Sequence, residues 1–160
     1  MKKRTKKSGD YLMLFVAIAL AVAALSFLIV KSPEGLSVPS DLSPPEKVVL
    51  DYFSAWNKKD YSKMYAQISD GFKKIDENAK TLNSFSDYAA SQNIEGVKIL
   101  SIKQSSNNGK TASVDYSVEF TLANGKKIPF SGTYTIKYRD KDRVRAWKMI
   151  HPYGENIDTT

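Results

Sequence analysis

Residues 114–138 read VDYSVEFTLANGKKIPFSGTYTIKY, and this stretch decides the fold. Its first part alternates strictly. Val114, Tyr116, Val118, Phe120 and Leu122 fall on one face of an extended chain, and Asp115, Ser117, Glu119 and Thr121 on the other. Beyond Asn124-Gly125, the residues Ile128, Phe130, Tyr134, Ile136 and Tyr138 again share a face, with Gly132 among them. The loop length follows from this pattern. A two-residue Asn-Gly loop would pair Ala123 with Lys126 and Phe120 with Pro129. Directly opposed residues share a face, so that register sets an apolar stripe against a polar one. A three-residue loop, Ala123–Gly125, instead pairs Leu122 with Lys126, Phe120 with Ile128 and Val118 with Phe130. Both stripes then line one face. The sequence predicts that loop, with Gly125 at positive φ forming a bulge.

Two further strands flank the hairpin. Val97–Gln104 is one, closed by the turn-rich Ser105-Ser106-Asn107-Asn108-Gly109. The last runs about Val144–Ile150, after an Asp140-Lys141-Asp142 turn. Upstream the pattern is helical. In Ser43-Pro44-Pro45-Glu46, Ser43 can cap, Pro44 needs no N–H at the first helical position, and Glu46 completes a capping box. Val49, Tyr52, Phe53 and Trp56 then form one apolar face. Asn57-Lys58-Lys59 ends this helix, Asp60 caps a second, and Tyr61, Met64, Tyr65 and Ile68 repeat the spacing. Gly71–Ile75 reads as a short turn or strand, and Ser86–Ala89 as a short capped helix. Helices first and an antiparallel sheet after make the expected class α+β, with the helices covering the apolar face of the sheet.

The amino-terminal part has a different character. Tyr11–Val30 reads YLMLFVAIALAVAALSFLIV, without a charge. As a helix it would be about 30 Å long, enough for one hydrocarbon core. Lys2, Lys3, Arg4, Lys6 and Lys7 precede it, which predicts a cytoplasmic N-terminus and an extracytoplasmic remainder. A cleaved signal peptide is the rival reading, with Ala21-Val22-Ala23 as its cleavage site, but the apolar run continues to Val30. The expected organisation is a basic tail over 1–10, a transmembrane helix over 11–30, a linker over 31–42, one domain over 43–154 and a C-terminal tail over 155–160. The expected location is the cell membrane, as a single-pass protein.

Composition narrows the chemistry. The net charge is +7, of which the first thirty residues carry +4, so the excess is mainly a topology signal and nucleic-acid binding is not expected. With no Cys there is no disulfide, thiolate metal site or cysteine nucleophile. With one His there is no multi-histidine metal site. Neither a metal nor a cofactor is expected.

Two segments together carry a resemblance. One is Pro45–Tyr65, PEKVVLDYFSAWNKKDYSKMY; the other is the strand series that closes in Arg145-Ala146-Trp147-Lys148-Met149-Ile150-His151-Pro152. Over roughly residues 44–153 the chain resembles the nuclear transport factor 2-like superfamily of cone-shaped α+β domains. More narrowly, it is similar to the N-terminal, non-catalytic domain of methicillin-resistance-type class B penicillin-binding proteins, which also follows a membrane anchor. The resemblance implies a curved antiparallel sheet with helices packed on it, and a link to cell-wall synthesis and the response to antibiotic. It does not carry the enzyme over. No Ser is followed three places on by Lys, Lys7-Ser8-Gly9 and Ser91-Gln92-Asn93 match the other transpeptidase motifs only in isolation, and the chain ends soon after Pro152. The expectation is an accessory domain without the transpeptidase.

Candidate site residues follow from the cone. Trp56, Tyr116, Phe130 and Tyr134 are expected to line it, either as filling or in contact with a ligand. Superfamily cones include isomerase- and dehydratase-type enzymes, and His151 is the one histidine that could move a proton. It stands beside Pro152 at a strand end, is expected near the rim, and has no acid partner identifiable in the sequence. No catalytic residue is therefore assigned. Asp115 and Glu119 read as a solvated sheet face. Lys137, Arg139, Lys141, Arg143, Arg145 and Lys148 read as a solvated turn with local ion pairs, in preference to a surface for anionic lipid or wall polymer. The leading expectation is a membrane-anchored, non-enzymatic binding or spacer module partnering an envelope protein or a penicillin-binding protein. The alternative is a small-ligand-binding or isomerase/dehydratase-type cone enzyme. A homodimer through the exposed sheet face is a third expectation.

Overall fold

The computed structural model describes residues 41–152. The basic tail, the Tyr11–Val30 span, most of the linker and the C-terminal tail lie outside the described residues. Among the described residues no helix is long and apolar enough to cross a membrane.

Among the described residues four α-helices come first: α1 (Pro44–Asn57), α2 (Tyr61–Ala66), α3 (Asp70–Ile75) and, after a 3-10 turn at Glu77–Ala79, α4 (Leu82–Ser91). Four strands follow: β1 (Ile94–Asn107), β2 (Thr111–Leu122), β3 (Lys127–Arg139) and β4 (Ala146–Met149). They pair antiparallel in the order β1-β2-β3-β4. The result is a curved meander with the helical segment packed on one face, which is the α+β class expected.

The hairpin register is the one its apolar pattern requires. Val118 pairs with Phe130 and Phe120 with Ile128. The Leu122 N–H donates to the Lys126 carbonyl at 2.9 Å, and Gly125 sits at φ +78°. Val114, Val118 and Ile136 are fully buried under α1, where Val49 and Phe53 meet them.

The α1 start is the predicted capping box. The Glu46 N–H donates to Ser43 Oγ at 3.5 Å, and Glu46 Oε2 accepts from the Ser43 N–H at 2.7 Å. Its other oxygen accepts from the Gln104 N–H at 2.8 Å, so the same carboxylate that caps the helix pins it to β1. At the other end, Asn57 Oδ1 accepts from the Val97 N–H at 2.8 Å, and Lys59 at φ +56° turns the chain out of the helix. Asp60 caps α2 through the Lys63 N–H at 3.1 Å.

Four elements differ from expectation: α3, α4, β1 and β4. Residues 71–75 are helical, not a turn or strand. The buried Ser69 caps α3 by accepting from the Phe72 N–H at 2.9 Å. The fourth helix starts at Leu82, where Thr81 and Ser84 cap each other's backbone reciprocally at 3.1 and 3.2 Å. β1 runs past both expected ends, because three register shifts carry it. Its apolar residues Ile94, Val97, Ile99 and Ile102 are irregularly spaced, yet they face Leu122, Phe120, Val118 and Tyr116, all on one face of β2. Each bulge restores the phase and bends the strand.

β4 is shorter than predicted, beginning at Ala146, and Val144 is 64% exposed. The strand is held from both sides. Met149 pairs with Ile136 on β3, while its N–H donates to the Gln67 carbonyl and its carbonyl accepts from the Ser69 N–H. That clamp carries the chain into the helical layer and fixes Ile150 and His151.

Candidate functional site

On the concave face of the sheet, the side chains of α1 and the hairpin interlock as one ring cluster. Tyr116 stacks on Tyr134 with ring centroids 4.6 Å apart and planes 17° from parallel. Phe53 meets Tyr116 at 5.0 Å, Phe130 meets Tyr116 at 6.0 Å, and Tyr52 meets Tyr134 at 6.1 Å. Trp56 packs on Phe120 at 5.2 Å, and Phe120 in turn on Phe130 at 5.9 Å. Helical spacing on α1 and period two on the strands deliver these rings to one place. Gly132, opposite Tyr116, leaves room for the tyrosine ring to lie across the strand.

The phenols in this cluster are held neutral. Burial pushes the Tyr52, Tyr116 and Tyr134 hydroxyls above their ordinary range, and for Tyr52 and Tyr134 the neighbouring phenols add to the rise. Trp56 Nε1 is buried and has no hydrogen-bond acceptor among the described residues. The cluster therefore places neutral phenols among apolar rings.

His151 occupies a different setting from the one expected. It is only 6% exposed, not at an open rim. Its Nε2 lies 3.6 Å from Asp76 Oδ2, and its ring meets the Phe72 ring edge-on at 4.8 Å. The acid partner that the sequence did not reveal is thus Asp76, between α3 and the 3-10 turn. Burial pushes the Asp76 carboxyl up, but the bonds from His151 and the Asn78 N–H outweigh that and hold it below the usual carboxylate range. The structure thus brings Trp56, Tyr116, Phe130 and Tyr134 together, while His151 packs on Phe72 and pairs with Asp76.

The outer face of the hairpin is a polar ladder. Asp115 accepts from the Thr133 hydroxyl at 2.6 Å, Ser131 donates to Ser117 at 3.0 Å, and Glu119 pairs with Lys127 at 3.3 Å. These cross-strand pairs account for both carboxylates. Among the described residues no group of His, Asp and Glu is arranged to hold a metal ion.

A curved antiparallel sheet wrapped on a long capped helix, with its concavity occupied by rings, defines an NTF2-like cone. The chain belongs to the MecA_N family, the NTF2-like N-terminal transpeptidase domain, which matches residues 44–153. No curated protein matches the chain. Similar solved structures include an NTF-2 like protein of unknown function from Shewanella oneidensis MR-1, with 12% identity, TM-score 0.48, and 65% of this chain and 90% of that one covered. Another is a SEC-C motif containing protein from Rhodopseudomonas palustris, with 12% identity, TM-score 0.49, and 68% and 76% covered. A third is described as a putative dehydratase of the NTF2-like family from Streptomyces avermitilis, with 11% identity, TM-score 0.46, and 66% and 88% covered.

Proposed function

We propose that this chain is a non-enzymatic binding or spacer module, held on the outer face of a cell membrane by Tyr11–Val30 and accessory to cell-wall synthesis. The observation that carries this reading is the ring-filled concavity. Phe53, Trp56, Tyr116, Phe130 and Tyr134 pack with Phe120 into one ring cluster between α1 and the hairpin, which gives that space to side chains. Membership of the family of NTF2-like N-terminal transpeptidase domains supports it, as does the lack of a Ser-x-x-Lys motif. The work then falls to the outer surface and to a partner, an envelope protein or a penicillin-binding protein.

The Cys-free sequence makes topology easy to test. In intact cells, Ser106→Cys should react with a membrane-impermeant maleimide and Ser8→Cys should not. The reverse pattern sinks the extracytoplasmic placement. Crosslinking from Ser106 and other exposed positions in native membranes should then capture an envelope or wall-synthesis protein. Capture of none counts against the accessory role.

The buried His151–Asp76 pair favours one other reading, an isomerase- or dehydratase-type enzyme. Such an enzyme would catalyse deuterium exchange beside the carbonyl of a small ketone and lose that exchange in His151→Gln. Identical, background exchange in both proteins ends this reading.

A further inference from the structure

A second concavity lies where α2 and α3 face the segment joining β3 to β4. It is a cleft of about 840 Å³, and six cations line it: Lys73, Lys74, Lys80, Lys141, Arg143 and Lys148. Its acids are Asp70 and Asp142. The two walls come from distant parts of the sequence and are tied by a reciprocal pair of bonds. Asp142 Oδ2 accepts from the Asp70 N–H at 2.9 Å, and Asp70 Oδ2 accepts from the Arg143 N–H at 3.0 Å.

Those two carboxylates are already engaged. Asp142 Oδ1 accepts from Arg139 Nε at 3.1 Å, and Asp70 Oδ1 from Lys73 Nζ at 3.3 Å. Lys80 meets Glu77. Among the described residues, no carboxylate stands within ion-pair distance of the Lys74, Lys141 or Arg143 side chain. Lys148 is the half-buried cation. It donates to the Ala66 carbonyl, and its amine is held below the ordinary range, by burial first and by the neighbouring Lys73 next. Six cations thus share a concave site with two lining carboxylates, both already engaged, and the excess of like charge is a cost that an entering anion would lower.

We infer that this cleft binds a polyvalent phosphate ligand, one carrying several phosphate groups along a single chain. The volume matches a site for a molecule rather than for one ion. Five of the six cations are Lys, compact point charges with rotatable donors that meet phosphate oxygens in many geometries. A concave wall suits a compact or threadlike polyanion better than a flat bilayer. The inference rests on the binding-module reading and names the chemistry of one ligand for it.

The test uses the full chain purified in neutral detergent, titrated calorimetrically with tripolyphosphate and with a synthetic oligo(glycerol phosphate). Binding should be measurable at low salt and weaken as salt is raised. Lys74→Ala/Lys141→Ala/Arg143→Ala should lose about tenfold or more in affinity. Lys98→Ala/Lys103→Ala/Lys126→Ala removes the same charge from exposed positions elsewhere and should lose less than about twofold. All six residues are exposed, so folding should survive both sets. Similar affinity for the two ligands assigns a soluble polyphosphate-type molecule; clear preference for the oligomer assigns a phosphodiester polymer. Absence of binding, equal losses in the two triple variants, or displacement of tripolyphosphate only by micelles doped with phosphatidylglycerol overturns the inference. Surface labelling and partner capture read the binding-module proposal without this ligand, so failure here leaves that proposal standing.

Discussion

Tyr116 lies across Gly132. A Cβ placed on Gly132 would stand 2.8 Å from the Tyr116 hydroxyl oxygen, closer than such atoms approach in folded proteins, and 3.1 Å from Cζ, tighter than most such contacts. The tyrosine cannot swing away freely, because Tyr134 stacks on one side of it and Phe53 packs against it. The glycine is required by this neighbour rather than by its own backbone, since its φ is not in the left-handed region.

Gly132→Ala should therefore destabilise by about 1–3 kcal/mol, the range for overpacking, although alanine slightly restricts the unfolded chain. Removing the hydroxyl should restore part of that loss. In urea unfolding, Gly132→Ala/Tyr116→Phe should be more stable than the sum of the single changes by about 0.5 kcal/mol or more. Strict additivity would mean that the contact is not the cause.

Gly125 is a different case. Its φ of +78° is left-handed, and no atom lies within 4 Å of the point that a methyl group would take there. Gly125→Ala should cost about 1 kcal/mol through backbone conformation alone. Gly125→Asn should cost less, because Asn tolerates this region better. If both variants melted with the parent, the three-residue loop would not hold the predicted bulge in solution.

Acid stability should depend on two carboxylates. Burial pushes Glu46 up, but the Gln104 N–H, the Ser43 hydroxyl and the Ser43 N–H together hold it below its ordinary value. Asp76 is depressed as well, with His151 as the main opposing partner to burial. A depressed folded value means that the unfolded chain binds protons more readily. The contribution of each group is then full above its unfolded pKa of about 4 and is lost as pH falls through the folded value. Glu46→Gln and Asp76→Asn should each flatten the acid limb of a stability–pH curve below about pH 4 while lowering the neutral plateau. Ser43→Ala should lower the plateau by about 1 kcal/mol through loss of the cap. An acid limb unchanged in both variants would remove these groups as its source.

Trp56 carries a buried donor without an acceptor among the described residues. An unsatisfied buried group of this kind costs about 1–3 kcal/mol, which offsets part of what the indole ring contributes by packing on Phe120 and Tyr52. Trp56→Phe should consequently be nearly neutral, within about 1 kcal/mol, whereas Trp56→Ala should cost about 3–5 kcal/mol. Chemical denaturation separates the two. A large loss in Trp56→Phe would indicate that Nε1 has found a partner in solution.

What could be read in the sequence was what neighbours along the chain decide. The alternation from Val114 to Leu122 and from Ile128 to Tyr138 fixed both the faces and the length of the loop between them, because side-chain direction in a strand has period two. Ser43-Pro44-Pro45-Glu46 located the first helix, because the cap bonds lie within one turn. The α3 helix was missed because it is so short that only the Ser69 cap announces it. The extent of β1 was missed because its bulges break the period that identifies a strand, and they become visible only once β2 is alongside.

The sites depended on tertiary structure. Asp76 and His151 are remote in sequence, and they meet because β4 is clamped between β3 and the Gln67–Ser69 segment, which delivers His151 into the helical layer. The basic residues near the β3–β4 turn could be counted from the sequence, but the sequence did not set Lys73, Lys74 and Lys80 opposite Lys141, Arg143 and Lys148. The bonds between Asp70, Asp142 and Arg143 do that. Local rules of period and capping act over a few residues and are written in order along the chain; a cleft is made by long-range pairing, whose partners are chosen only when the sheet and the helices have packed.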